Sequence, residues 1–247
     1  MSERKSVQNT MRYRFPHLVL LLSILLPLWC AASETTGPSA SPTEVSPDRI
    51  NTIFAGYDLY TLRPKAAAAF SLNGVVIGYN IDFRITRNHP LYIGTGVDAR
   101  LTFRNKTFHD TATYDEIKAK VSTTFLNFNI PINLSYRLPV SELLYVIPQI
   151  GFDFRIQALG KKTTTISSPA TPEAVAKTSG FTPGSVNLFS KNALGPQALR
   201  RFQAGWHAAL KLQYDQFVLG ISYGTDFAKL RNELGSSNLL VNLGYMF

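Results

Sequence analysis

NLLVNLGYMF, residues 238 to 247, alternates along its whole length. Leu239, Val241, Leu243, Tyr245 and Phe247 fall on one face of an extended chain. Asn238, Leu240, Asn242, Gly244 and Met246 fall on the other, because successive side chains of a strand point to opposite sides. The run is longer than a typical strand of a soluble domain and long enough to cross a bilayer at a tilt.

Upstream the period repeats. Phe217, Leu219, Ile221 and Tyr223 alternate with Val218, Gly220, Ser222 and Gly224, and the segment from Phe202 to Tyr214 does the same. Only Asp215 and Gln216 join these two, which makes them antiparallel neighbours. Further segments run Leu144 to Ala158, Thr123 to Leu138, Leu91 to Arg104, Gly74 to Arg87 and Thr52 to Leu62, which makes eight. Connections of about 11, 18, 42 and 10 residues follow the odd strands, against 2 to 5 after the even ones. Long loops at one end and tight turns at the other predict an all-β fold, an eight-stranded antiparallel up-and-down transmembrane β-barrel over residues 51–247. A soluble eight-stranded barrel would turn its apolar face inward. Here the opposite face is too charged to coat a ligand pocket.

The front of the chain reads as an export signal over residues 1–33. The twelve residues Leu18 to Trp29 are too few to span a bilayer, follow Arg4, Lys5, Arg12 and Arg14, and precede the small residues Cys30 to Ser33. Cleavage after Ala32 or Ser33 is expected, with Met11 as an alternative start. Trp29, immediately before the only cysteine, does not suit lipidation of Cys30. Residues 34–50 are rich in Ser, Thr and Pro and read as a periplasmic linker. Without its first 33 residues the chain holds 21 basic and 15 acidic residues, since four cations and one anion are removed. Export argues against nucleic acid as a partner and favours outer-membrane lipid and lipopolysaccharide. The expected location is the outer membrane.

FLNFNIPINLSYRL (Phe125 to Leu138), LYVIPQIGFDFR (Leu144 to Arg155) and the closing segment from FVLGISYG to NLGYMF resemble the outer-membrane β-barrel family typified by PorT-like proteins. The resemblance covers about residues 50 to 247. It implies the same barrel and a possible envelope or secretion-system partner. Where that family often places an acidic residue before Ile-Pro, this chain has Asn129. Tyr245 and Phe247 look like the C-terminal signal read by barrel-assembly machinery.

The polar face carries Asp58, Asp82, Asp98 and Asp153 together with Arg84, Arg100, Arg155 and Lys211. An eight-stranded barrel is only wide enough to be filled by side chains, so these charges are expected to pair and plug the lumen. The alternative is a narrow polar path for solutes or ions. His207 also points inward. Its serine partners would be Ser135 or Ser222, and a lipid-modifying enzyme is the third reading, disfavoured because an inward site does not reach a lipid tail. The loop Leu159 to Arg200 carries Lys161, Lys162, Lys177, Lys191 and Arg200 against Glu173 alone, a pattern suited to lipopolysaccharide phosphates. No metal-ligand spacing and no cofactor motif is present. A structural or interaction role, in envelope integrity, adhesion or as a secretion accessory, follows from this inventory.

Overall fold

The computed structural model describes residues 47–65, 67–110, 117–167, 183–227, 230–231 and 234–247. The expected signal peptide, most of the linker and Lys177 lie outside the described residues. Eight long strands are seen among them: β1 Arg49–Pro64, β2 Phe70–Arg84, β3 Leu91–Asp110, β4 Ile117–Tyr136, β5 Leu144–Ser167, β6 Phe202–Tyr214, β7 Phe217–Asp226 and β8 Leu234–Met246. Each pairs antiparallel with its neighbour in sequence, and β8 pairs with β1 to close the ring.

The ring is staggered. A path across paired residues from Asn51 runs through Ile81, Thr95, Ile132, Phe152, Trp206, Thr225 and Ser237 and re-enters β1 at Thr61, ten residues further on. Stagger and strand tilt are coupled in a closed sheet, and eight strands leave an interior that side chains can fill. At the two-residue turn between β6 and β7, Asp215 takes a left-handed conformation with φ of 51°, as a hairpin following the strand twist requires.

Three strands run furthest beyond what the alternation predicts. β3, β4 and β5 were expected to end or begin at Arg104, Thr123 and Ala158, yet they continue to Asp110, Ile117 and Ser167. The loop expected from Leu159 to Arg200 is therefore partly sheet. Lys161 and Lys162 lie in β5 and pair with a short strand, Gly184–Asn187, and Lys191 opens a short helix, Lys191–Leu194. Beyond the lipid both faces of a strand are wet, so the apolar period vanishes while the β-favouring Thr and Val residues remain. The register of β4 against β5 shifts by one between Leu126 and Asn127, leaving Ala158 as the extra residue of a bulge. Below the bulge the even residues of β5 point outward; above it the odd ones do.

Candidate functional site

The two faces of the wall differ completely. Outside, Ile53, Val75, Ile77, Ile150, Phe152, Leu219 and Leu243 are exposed, Ile77 to 67% and Ile150 to 62%. Burying one such side chain is worth about 1.5–3 kcal/mol, so a continuous band of them is stable only against lipid. Aromatic pairs stand on this surface: Phe217 against Tyr245 with ring centroids 5.8 Å apart, and Trp206 against Tyr223 at 6.5 Å. Among the described residues no helix is long and apolar enough to cross a membrane. This is a transmembrane β-barrel of the outer-membrane type.

No protein-family model matches the chain, and no curated protein sequence does. Solved structures similar to it are themselves outer-membrane barrels. Ail, the attachment invasion locus protein of Yersinia pestis in complex with the heparin analogue sucrose octasulfate, is 14% identical, with 81% of this chain and 100% of that chain covered and a TM-score of 0.39. Neisserial surface protein A is 12% identical over 80% and 97%, with a TM-score of 0.40. OprG from Pseudomonas aeruginosa is 8% identical over 82% and 97%, at 0.34.

Inside the barrel, side chains form layers. At the tight-turn end Ile50, Tyr92, Val218 and Met246 cluster, and Arg137 stacks 3.6 Å above the Tyr145 ring while donating to Gln213 at 3.0 Å. Above them lie cavities of about 30 Å³ and about 50 Å³, both bordered by Phe54, Asn80, Lys211 and Asn242. Asp82 and Lys211 border the first. A Cβ at Gly94 would overlap the Asp82 carboxylate, so the glycine makes room for it. These volumes suit roughly two and four waters. The carbonyl oxygens of Asn80, Asn133 and Gln149 on their walls have no protein partner and are available to such waters.

The middle layer is ionic. Arg100 holds Asp98 with two hydrogen bonds, at 2.6 and 3.0 Å, and stands 3.8 Å from Asp58. Asn129 donates from one amide nitrogen to both Asp98 and Asp153 at 3.0 Å. An acidic residue there would replace two donated hydrogens with a third carboxylate, which is why an amide suits this position. His207 Nδ1 lies 3.0 Å from Asp153, and its other nitrogen is 3.4 Å from Gln149. Ser222 borders the same cavity as His207 without bonding to it, and Ser135 lies at the turn end. Among the described residues the lumen thus shows a histidine and an acid without a positioned nucleophile.

Higher again, Arg155 pairs with Asp226 at 3.3 Å, reaches Asn238 at 3.5 Å and lies 5.4 Å over the Tyr60 ring. Asp226 also takes the Ser236 hydroxyl. Gln157 donates to Gln203 at 2.6 Å, and Gln203 meets Tyr60 and Ser236. A hydrophobic stopper closes the long-strand end: Tyr60, Leu62, Leu72, Phe125, Leu230 and Leu234, with Leu188, Phe189 and Leu199 packed on it.

Of the charges expected to share the lumen, the structure gathers Asp58, Asp98, Arg100, Asp153 and Arg155 and sets Asp82 with Lys211 lower down. Arg84 is a correction. It sits at the turn-end rim, paired with Tyr92 where β2 turns into β3, and donates to the carbonyl of Arg87 at 2.7 Å, away from the ionic layer. Sequence reasoning missed Asp226, although it continues the inward parity of Val218, Gly220, Ser222 and Gly224. Of the cations assigned to the long loop, Lys161, Lys162, Lys191 and Arg200 are all exposed.

Proposed function

We propose that the protein resides in the outer membrane and works at its long-strand end, as an interaction or structural protein and not as a conduit. The observation that carries this reading is the stacked filling of the lumen, from the Arg100 layer through Arg155 and Gln157 to the Tyr60–Phe125 stopper. A solute path would have to break several charge-assisted contacts and an apolar plug. Adhesion, envelope integrity and the accessory role implied by the PorT-like resemblance all put the partner at the same exposed end. At the other end, outward Tyr245 and Phe247 offer the aromatic surface on which barrel-assembly machinery would act.

The cavities beside Asp82 and His207 favour one second reading, a narrow conducting path. Planar-bilayer recording of the refolded protein separates the two. Silence is the expected result; steady unitary conductance replaces the proposal with the narrow pore.

A further inference from the structure

The charge of the barrel is distributed unequally between its ends. The described residues of the segments 63–70, 104–124, 159–201 and 227–235, which border the long-strand end, include twelve Lys and Arg against one Asp or Glu. The turn-end segments 47–50, 84–90, 137–143 and 214–217 contain four against three. Membrane insertion alone does not require this asymmetry, since anchoring cations would serve equally at both rims.

The direction of the cations narrows the partner. On the outward face of β5, Leu159 pairs with Leu126, and the next outward position, Lys161, pairs with Thr124. The following outward positions are Thr163 opposite Ser122 and Thr165 opposite Lys120. The apolar belt therefore passes directly into a lattice of Lys, Ser and Thr on the same face. Across the barrel, Arg63 continues the outward row of Tyr57 and Leu59 and donates to the Tyr223 hydroxyl at 3.3 Å. Arg63, Lys120 and Lys161 are exposed. They point sideways, at the level where hydrocarbon gives way to headgroups. Ammonium and guanidinium groups beside hydroxyl donors at that height match phosphates attached to lipid. Of the two leaflets of an outer membrane, the outer one carries phosphorylated lipopolysaccharide, and the rule that longer connections face outward sets the charged rim on that side.

We infer that the outward cations Arg63, Lys120 and Lys161, with their Ser and Thr neighbours, bind the phosphates of lipopolysaccharide molecules packed around the barrel. The inference rests on the outer-membrane placement proposed above but not on a closed lumen, so a conducting barrel would leave it intact.

The test uses the full mature chain in phosphatidylcholine vesicles, alone, with lipopolysaccharide, or with the same lipopolysaccharide stripped of phosphate. The thermal unfolding midpoint of the wild type should rise on the order of 4 °C with the phosphorylated form only. The variant Arg63→Gln, Lys120→Gln, Lys161→Gln should match the wild type in phosphatidylcholine alone and lose the rise. Equal rises with both lipopolysaccharides, or a variant that keeps the rise, overturn the inference. So does a variant already destabilised in phosphatidylcholine, which would make these side chains structural. Soluble dextran sulfate is added to plain vesicles as a further arm. A rise as large as that from lipopolysaccharide would assign the rim to a free polyanion instead.

Discussion

The lower and upper halves of the lumen are built from the same residue types and pack differently. Below Asp153, Asn80, Asp82, Lys211 and Asn242 surround cavities with room for water. Above it, Arg155, Gln157 and Gln203 are buried to within 1% exposure and lie beneath an apolar plug. Water can solvate a charge that loses its partner in the lower half. In the upper half no such relief is near, so each ion there depends on its counter-ion. The seal of the barrel is thus the upper half, and the lower half is a blind, wettable recess.

Arg155→Ala should have the largest effect. It leaves Asp226 buried without its cation and hollows the layer beneath the stopper, a loss of about 3–5 kcal/mol. Denaturant unfolding in vesicles and bilayer recording should show a lower midpoint and ion leakage together; an unchanged midpoint in a silent variant would move the seal elsewhere. The next prediction tests the register that defines the halves. Leu243→Arg places a cation against lipid at a cost of about 2–4 kcal/mol, whereas Asn242→Arg enters the wet recess and should insert more readily. Equal insertion yields would contradict the assigned faces of β8. Lys211→Ala should change least, by about 1 kcal/mol or less, because water replaces the ammonium beside Asp82. A drop as large as that of Arg155→Ala would show that the recess is dry.

Legibility in the sequence followed the lipid. Where one face meets hydrocarbon, alternation is enforced, and the eight segments, their order and the tight turns could be read from residues such as Leu239 to Phe247. Above the lipid the enforcing solvent is gone. The upper parts of β3, β4 and β5 were therefore invisible to periodicity, and the reading of β5 stopped at Ala158, the residue that the bulge leaves unpaired. In the lumen, inward parity identified which charges face inside. It could not identify partners, because these depend on the ten-residue stagger: Arg155 on β5 meets Asp226 on β7, two strands away. His207 and Asp153 lie diagonally across adjacent strands, and the long connection between β5 and β6 left the register that joins them open.

The raised strands have a steric consequence. β3 continues seven residues past Phe103, the last position at which β2 accompanies it, a reach of about 23 Å along the strand. β4 and β5 rise with it, while β1, β2, β7 and β8 stop near the apolar belt. Among the described residues the strands therefore form a high flank and a low one. A rigid macromolecule approaching from outside can seat on either flank but is held off the other by the difference in height. A surface that meets both flanks of these strands at once must itself follow that difference in height.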